Sequence, residues 1–456
     1  MKNFLLAIFL FILMSVNLLT AQNQIITNNI YSSVSKTFSV KENSEKENSK
    51  FIELLYIQVN SSCKKNENPI FILLDGPGKS NIDTSKIKKW MLENHDVILL
   101  GYRGIDGNVN LNIPNFKNVL KTSKPLEPEN IMNFGEILKK ELDSIEYLGI
   151  DLEAYNIVEI ANDIENLRIK LGYEKINLYS EGFGTLIAYT YGLKYKKNVD
   201  KIIMLNALIP ENIGIWDADY ISSKLVLYNV IWQKDSICTK KSVDIIETMK
   251  DVLKTLPAKY NDKVLDKDKI RIATFFLLND KTTAIETINA YVNAENGNYS
   301  GLFEISQKYS EIIENINWGD FILKTTTAKD YSYSEFVCDG SIIGSPFMNI
   351  FWGSIAFSNK NINKIDNYYT QIQDFDIPVL FISGNLDISN PFEFIKDDFF
   401  PKTENSKFLI IKEMGHSDIF NFEDENFDKL LSNFMLDKKQ NKKYTFYQSV
   451  NFIEKE

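Results

Sequence analysis

The chain has 456 residues, of which 44% are hydrophobic and 25% charged, so it can bury a full α/β core and still carry a second lobe. Its 61 acidic and 51 basic residues give a net charge of −10, which argues against a nucleic-acid partner. Its three cysteines, Cys63, Cys238 and Cys338, are too few and too far apart for a metal site or a disulfide framework. We expect no metal, no cofactor and at most one disulfide, and the sequence does not identify which two cysteines would form it.

Residues 1–21 have the layout of a secretory signal peptide: Lys2, an apolar run from Phe4 to Met14, and Ala21 before a polar stretch. Cleavage would lower the basic count to 50 and the net charge to −11. An uncleaved membrane anchor is the alternative, but the apolar run falls short of the ~20 residues that span a bilayer. We expect export to the periplasm or the cell exterior, and no membrane span in the mature chain.

The first four predicted strands show two different patterns of polar and apolar residues. Residues 33–40 and 54–59 have the polar–apolar alternation of an opening antiparallel ribbon. Residues 70–74 and 97–100 are short, continuous apolar runs, which indicate strands covered on both faces. The spacing between these two runs predicts a helix over residues 82–93.

The strand–helix alternation then continues. An amphipathic stripe predicts a helix over residues 154–171, ended by Gly172. A strand at 176–179, a helix to about Tyr195 and a strand at 201–205 follow. This order predicts an α/β fold with a mostly parallel, doubly wound sheet and right-handed crossovers.

Residues 210–367 break the alternation, because helical stripes and aromatic residues replace the strand pattern. We interpret this segment as a helical lid inserted into the sheet domain. We therefore predict a signal peptide at 1–21, a sheet domain at 33–209 and 368–437, the lid at 210–367, and a tail at 438–456 that could add an edge strand. In the second part of the sheet domain we expect strands at 379–382 and 408–411 and a closing helix at 426–435.

The turn Tyr179-Ser-Glu-Gly-Phe-Gly184 lies between a predicted strand and a predicted helix, where a nucleophile elbow would lie. Such a turn needs small residues two before and two after its central residue, because strand and helix backbones approach closely. With Gly182 at the centre these residues are Ser180 and Gly184, whereas a centre at Ser180 would require Leu178. We therefore place Gly182, which has no reactive side chain, at the nucleophile position, with Ser180 as the alternative nucleophile. A coincidental Gly-rich turn is the third interpretation.

A candidate acid and a candidate base follow later in the chain. Asp387 ends an apolar strand, and His416 follows the next strand. The only other histidine, His95, precedes a strand in what reads as a polar turn. We predict His416 as the general base and Asp387 as the carboxylate that orients it. Asp387 could instead cap a helix, and Asp418 lies too close to His416 in sequence to face its ring easily.

The loop Asp75-Gly76-Pro-Gly78 follows the third predicted strand. In this fold the loop at that place supplies one of the two backbone N–H donors of an oxyanion hole, and Phe183 would supply the other. The same sequence is also common in structural turns. A carboxylate at Asp75 would oppose the negative charge that develops in a transition state, so its presence here argues against ordinary acyl transfer.

Several motifs together resemble the prolyl aminopeptidase and tripeptidyl aminopeptidase branch of the α/β-hydrolases, over most of residues 50–436. The motifs are Asp75-Gly-Pro-Gly78, Gly101-Tyr-Arg-Gly104, the segment 151–185, Ser383-Gly-Asn-Leu-Asp387 and Gly415-His416. The resemblance implies an α/β-hydrolase fold with an inserted lid, with Asp387 as the acid and His416 as the base.

The chain departs from that family at the reactive positions. The family loop usually reads H/Q-G-G-P-G and its elbow G-G-S-Y-G or G-E-S-Y-G, whereas this chain has Leu74 and Asp75 in the loop and Gly182 in place of the serine. The resemblance therefore implies the family's site without the oxygen of its nucleophile.

Three functional hypotheses follow. The leading one is an exported hydrolase-like protein with lost or strongly reduced serine chemistry and a lidded pocket for a peptide or another small molecule. The second is an active exopeptidase or esterase that uses Ser180 with His416 and Asp387. The third is a protein-interaction module that uses the lid as its docking surface.

Overall fold

The computed structural model describes residues 34–62, 67–216, 218–329, 343, 346–439 and 445–452. Its strands are β1 Val34–Lys41, β2 Phe51–Val59, β3 Glu67–Leu73, β4 His95–Leu100, β5 Ile176–Glu181, β6 Val199–Leu205, β7 Lys259–Tyr260, β8 Lys263–Val264, β9 Val379–Gly384 and β10 Lys407–Ile411. Eight of them form one sheet in the order β1-β2-β4-β3-β5-β6-β9-β10, and β7 and β8 form a separate hairpin.

Strand β2 runs antiparallel to β1 and β4, and all other neighbours in the large sheet are parallel. The predicted mostly parallel α/β sheet with an opening antiparallel ribbon is thus confirmed. Every residue of β4, β5 and β9 is buried, because helices cover both faces of a parallel sheet. Alternate residues of each strand enter different cores: Ile70 and Ile72 face one core, and Phe71 and Leu73 face the other.

The helices before β6 are α1 Lys89–Leu92, α2 Pro114–Leu120, α3 Pro128–Tyr147, α4 Ile157–Leu171 and α5 Phe183–Lys194. Helix α4 begins at Asn156, whose side chain accepts hydrogen bonds from the backbone N–H groups of Val158 and Glu159. It ends at Gly172, whose φ of 77° suits a left-handed C-terminal residue. These two signals explain why the sequence predicted this helix well.

The segment between β6 and β9 is almost entirely helical, and its buried apolar side chains form one hydrophobic cluster with those of α2 and α3. Its helices are α6 Ala218–Gln233, α7 Ser236–Lys241, α8 Ile245–Thr255, α9 Lys267–Leu277, α10 Lys281–Glu295, α11 Ser300–Glu314, α12 Trp318–Ala328, α13 Pro346–Ser358 and α14 Asn367–Thr370. We call this segment the helical insertion. It packs closely on the sheet domain, since a Cβ on Gly135 of α3 would lie 2.5 Å from the Cβ of Phe357 on α13.

Three α-helices follow β9: α15 Phe392–Phe394, which a π-helical turn continues over Ile395–Phe399, α16 His416–Phe420 and α17 Glu425–Met435. The last is the predicted closing helix. Residues 445–452 form no strand and make a single parallel bridge, between Tyr447 and Lys412. Phe452 instead stacks edge-on against Trp232 at a ring-centroid distance of 5.1 Å, so this end of the chain packs on the helical insertion.

Two local predictions differ from the structure. The helix expected over residues 82–93 is only a 3-10 turn, Thr84–Lys86, followed by the single-turn helix α1. Lys88 is extended between them, and Asp83 accepts a hydrogen bond from the Ser85 N–H and so starts a turn of its own. His95 does not lie in a polar turn; it is the buried first residue of β4, with Nδ1 2.7 Å from the carbonyl oxygen of Asn68.

The predicted signal peptide, residues 1–21, lies outside the described residues, as do Cys63 and Cys338. Cys238 is buried and makes no disulfide within the described part of the chain. None of the helices in the described ranges is both long enough and apolar enough to cross a membrane.

Candidate active site

Gly182 makes the turn from β5 into α5, with φ 50° and ψ −117°. This positive φ is costly for residues with a side chain and easy for glycine. The Gly182 N–H donates to the carbonyl oxygen of Leu205 on β6, so the turn is fixed to the neighbouring strand. A Cβ at Gly184 would lie 2.5 Å from the carbonyl carbon of Leu73, which explains why the turn needs a very small residue there.

Ser180 lies within β5, two residues before the turn. Its side chain is fully buried, and its Oγ donates a 2.8 Å hydrogen bond to the carbonyl oxygen of Ile203. The hydroxyl is thus committed to the neighbouring strand, and Ser180 is not part of the wall of the cavity beside His416. This placement does not favour Ser180 as a nucleophile.

Asp387 and His416 lie together at the carboxyl ends of β9 and β10. Nδ1 of His416 is 2.8 Å from Oδ2 of Asp387, and the Asp387 side chain is fully buried. The other carboxylate oxygen, Oδ1, accepts the backbone N–H groups of Ser389 and Asn390 at 2.9 Å each. Asp387 therefore both caps the turn that follows it and orients the imidazole. The capping role and the orienting role are compatible, because each uses a different carboxylate oxygen.

Asn206, directly after β6, joins the loops that carry the acid and the base. Its side-chain amide donates to the carbonyl oxygen of His416 at 2.7 Å, and its Oδ1 accepts the Gly384 N–H at 2.8 Å. Its own carbonyl accepts the side-chain amide of Asn390 at 2.9 Å. The residue is fully buried with φ 44°, which asparagine tolerates better than most residues.

The Asp75 carboxylate occupies the space into which a side chain at position 182 would extend. A Cβ built on Gly182 would overlap Oδ1 of Asp75 and would lie 2.8 Å from its Cγ. Oδ1 also accepts the Phe183 N–H at 3.1 Å, which is the donor predicted for an oxyanion hole. The neighbouring Gly76 lies against the Phe183 ring and lines the same cavity. The carboxylate thus fills the nucleophile's space and uses the oxyanion donor.

The second oxygen of Asp75, Oδ2, faces two cations. It lies 3.0 Å from Nζ of Lys79 and 3.6 Å from Nε2 of His416. With Asp387 on the far side of the imidazole, the order of groups is Lys79, Asp75, His416, Asp387. The four alternating charges sum to zero when the imidazole is protonated.

This order of charges explains the protonation of the site. Burial alone would raise the pKa of Asp75, but Lys79, His416 and the Phe183 N–H outweigh it and hold the pKa well below its usual range. Burial alone would lower the pKa of His416, but the Asp387 and Asp75 carboxylates raise it to about 10. At neutral pH, His416 is therefore an imidazolium and a proton donor rather than a free base.

The loop that carries Asp75 is held by the helical insertion. The Gly78 N–H donates to Oδ2 of Asp320 at 2.9 Å, and the Gly78 carbonyl accepts the Asn317 N–H at 2.9 Å. Asp320 is fully buried and pairs with Lys324 one turn along α12, at 2.6 Å. The insertion therefore fixes the backbone of the loop that carries Asp75.

A cavity of about 230 Å³ opens onto Asp75 and His416. One part of its wall is aromatic and aliphatic, contributed by the helical insertion and α5: Phe183, Leu208, Ile213, Trp216, Phe275, Phe276, Ile316 and Phe321. The other part is polar and includes Lys79, Asn212, Asn279, Thr325, Ser389, Asn390 and Ser417. Asp75 is the one carboxylate among the described residues of the wall. Since an engineered apolar cavity of ~150 Å³ binds benzene, this space can hold an aromatic ring with substituents.

Two polar side-chain atoms of the wall have no hydrogen-bond partner: Nδ2 of Asn212 and the buried Oγ1 of Thr325. Buried polar atoms are almost always satisfied, so such atoms on a cavity wall point to a ligand or water that completes them. A carbonyl oxygen could accept from Asn212, and a hydroxyl or carbonyl could pair with Thr325.

Glu181, the last residue of β5, is 2% exposed. Burial raises its pKa to about 7, further helped by the charge of Asp75 and opposed by Lys86, whose Nζ lies 3.5 Å from Oε2. No pattern in the sequence predicts this pKa shift. Lys79 and Asn206 were also not predicted: the i,i+4 spacing from Asp75 was a visible signal for Lys79, and no local signal exists for Asn206.

No group of three or more histidine, cysteine, aspartate or glutamate side chains suited to a metal ion occurs among the described residues.

A family model described as alpha/beta hydrolase fold matches residues 113–227. Together with the strand order and the turn at Gly182, this match establishes the α/β-hydrolase fold for the chain. A comparison with curated proteins gives no match.

Three similar solved structures align with most of this chain. A homoserine O-acetyltransferase from Bacillus anthracis is 12% identical with a TM-score of 0.45, covering 88% of this chain and 97% of that chain. A thermophilic esterase from Thermogutta terrifontis is 12% identical with a TM-score of 0.39, and the alignment covers 88% of this chain and 98% of that chain. A bromoperoxidase from Bacillus anthracis is 15% identical with a TM-score of 0.39, covering 88% and 100%. Such distant likeness carries no argument about activity.

Proposed function

We propose that the protein is an exported α/β-hydrolase-fold protein that binds a small, neutral, largely apolar molecule or a blocked peptide and performs no serine-dependent acyl transfer. The observation that carries this proposal is the Asp75 carboxylate in the space of a side chain at position 182. A serine nucleophile is missing there, and the donor that would stabilise its oxyanion is already engaged by Asp75.

The chemistry of the cavity supports the choice of ligand. Family members of the resembling branch select a free amine with lid carboxylates, but the described wall offers only Asp75, which already pairs with Lys79 and His416. An ammonium group would therefore find no free partner. The aromatic wall and the unpaired amide of Asn212 instead suit an apolar body with a carbonyl group.

The proposal also includes the helical insertion as a lid over the cavity. Helices α9 and α12 supply Phe275, Phe276 and Phe321 to the wall, so much of the apolar binding surface belongs to the insertion. Export rests on the sequence of residues 1–21 and is tested by the N-terminal sequence of the secreted protein.

Two measurements test the proposed function. A serine-reactive fluorophosphonate should leave the wild-type protein unlabelled, whereas labelling at Ser180 would favour the active-hydrolase alternative. Prodan, a neutral naphthyl ketone whose fluorescence rises in apolar surroundings, should bind, and Asn212→Leu should weaken binding about three- to tenfold, the range for one lost hydrogen bond.

The matched control for the binding measurement is Asn293→Leu, the same change at an exposed position of α10. It should leave the affinity for prodan unchanged. Saturable binding that is equal in both variants, or no binding at all, would remove the support for this cavity as the ligand site.

A further inference from the structure

We infer that the ligand enters and leaves the cavity through the seam at which Asn279 of the helical insertion meets Ser389 and Ser417, and that residues 445–452 latch this seam. We call residues 445–452 the C-terminal strap. The inference rests on the proposed binding function, because it concerns access to the same cavity. The strap contacts the parts of the chain on both sides of the seam.

On the side of the sheet domain, the strap is bound by the loop that carries His416. The Glu413 carboxylate accepts the Val450 N–H at 2.8 Å on one oxygen and the Tyr447 hydroxyl at 3.1 Å on the other. Glu413 is 9% exposed, and these two donors are the only hydrogen-bond partners of its carboxylate among the described residues. Since a buried carboxylate without donors is costly, the strap and this loop hold each other in place.

On the side of the insertion, the end of the strap packs on α6 and α10. The ring centroid of Phe452 lies 5.1 Å from that of Trp232 and 6.5 Å from that of Tyr228, and both of these α6 residues are fully buried. The Phe452 carbonyl accepts the side-chain amide of Asn289 on α10 at 3.2 Å. The strap therefore joins the insertion to the sheet domain within a few residues of chain.

The seam itself is part of the cavity wall. Asn279 lies in the turn between α9 and α10, and its carbonyl accepts the Ser417 N–H at 3.1 Å. Its Oδ1 accepts the Ser389 hydroxyl at 2.7 Å. All three residues line the cavity. The Lys281 N–H donates to Oδ2 of Asp418 at 3.1 Å and so joins the same two parts of the chain. Few hydrogen bonds therefore close the wall at this place.

The contact between the insertion and the loop of Asp75 is more deeply buried. There Gly78 makes two backbone hydrogen bonds to the insertion, and the acceptor Asp320 is fully buried and paired with Lys324. The three residues of the seam are partly exposed. Hydrogen bonds near solvent open at a lower free energy than bonds in the core. We therefore expect the cavity to open at Asn279 and not at Gly78.

The strap can control this opening because it ties both sides of the seam. Helix α10 begins two residues after Asn279, and Glu413 lies three residues before His416. A latch changes how often the seam opens, whereas the contacts of the bound ligand stay the same. A weaker latch should therefore raise the association and dissociation rate constants by the same factor and leave Kd unchanged. Loss of a wall contact would instead raise the dissociation rate constant alone.

Stopped-flow fluorescence of prodan with the full-length protein measures both rate constants. In Phe452→Ala both should rise about tenfold, the factor for about 1.4 kcal/mol of lost closing free energy, with Kd changed less than about twofold. Tyr447→Phe, a milder change that removes only the hydroxyl bonded to Glu413, should raise both rate constants by a smaller factor. The matched control is Phe38→Ala, which removes a comparably buried ring from β1 at the other edge of the sheet and should leave both unchanged.

Hydrogen exchange followed by mass spectrometry tests the latch without a ligand. The amides of residues 279–283 and 413–419 should exchange faster in Phe452→Ala than in the wild type, whereas those of β3 should not change. A rise of the dissociation rate constant alone, or unchanged exchange at the seam, would overturn the inference. If prodan does not bind, the proposed binding function loses its support, and the exchange of the seam amides decides on the latch by itself.

Discussion

The carboxylate of Asp75 and the missing side chain of Gly182 are complementary: one fills the space that the other leaves. A Cβ on Gly182 would lie 2.8 Å from Cγ of Asp75, closer than real Cβ atoms approach such neighbours. The glycine is therefore needed for two reasons, its positive φ and the position of Asp75. These two contributions can be separated by mutation.

Gly182→Ala should lower the free energy of unfolding by about 2–3 kcal/mol, since it combines backbone strain with overlap against Asp75. Gly172→Ala supplies the comparison, because its φ is 77° and no atom lies within 4 Å of a built Cβ; strain alone should cost about 1 kcal/mol. Urea unfolding measures both. Equal losses in the two variants would show that Asp75 exerts no steric effect.

Restoring a serine should restore little activity unless Asp75 is also removed. Gly182→Ser should give weak turnover of aminoacyl esters, because Asp75 still holds the Phe183 N–H. Adding Asp75→Gly should raise the rate more than about tenfold, equivalent to about 1.4 kcal/mol of barrier. Steady-state kinetics of the single and double variants decide the point. Equal rates within error would mean that Asp75 does not govern the oxyanion donor.

The pKa values of the two histidines should be shifted in opposite directions from the ordinary value. Two carboxylates flank His416 and raise its pKa to about 10, whereas burial lowers the pKa of His95 below its ordinary value. Proton–nitrogen NMR of the ring resonances can follow both, and His95→Gln assigns the signals. Asp75→Asn should lower the pKa of His416 and leave that of His95 unchanged. A shift of His416 below its ordinary pKa in the wild type would contradict the charge order of the site.

The free energy of unfolding should fall both when the pH rises above the neutral range and when it drops below it. The folded-state pKa of His416 is raised, so its stabilising contribution is complete below about pH 6.5 and is lost as the pH rises toward 10. The folded-state pKa of Asp75 is lowered, so its contribution is present above about pH 4 and is lost as the pH falls. Urea unfolding of Asp75→Asn should show a weaker loss on both sides than the wild type.

Asn206→Ala should cost about 2–4 kcal/mol of unfolding free energy, because its side chain makes buried hydrogen bonds to the loops of both Asp387 and His416. The control is Asn421→Ala, whose exposed side chain donates to the Ser417 carbonyl and should cost under about 0.5 kcal/mol. Weakened prodan binding in Asn206→Ala at temperatures where it remains folded would show that the asparagine also positions the site.

The sequence predicted the sheet because each central strand is a continuous apolar run and each crossover helix carries its own start and stop signals, as Asn156 and Gly172 do for α4. It also predicted the spatial meeting of Asp387 and His416, since both follow neighbouring strands. It could not predict that Asp75 would reach the space beside Gly182, because the hydrogen bond that holds it there, from the Phe183 N–H, joins residues 108 positions apart. Nor did periodicity show that Lys88 is extended and divides the predicted helix.

The hydrogen bond from Gly78 to Asp320 joins residues 242 apart in sequence. Contacts of such long range form slowly, because a long loop must close before they contribute any stabilisation. The loop of Asp75 therefore depends on helix α12, which is synthesised long after it. We expect the reactive centre to be one of the last regions to become protected in refolding followed by pulsed hydrogen exchange, after β3, β4 and β5 have already paired.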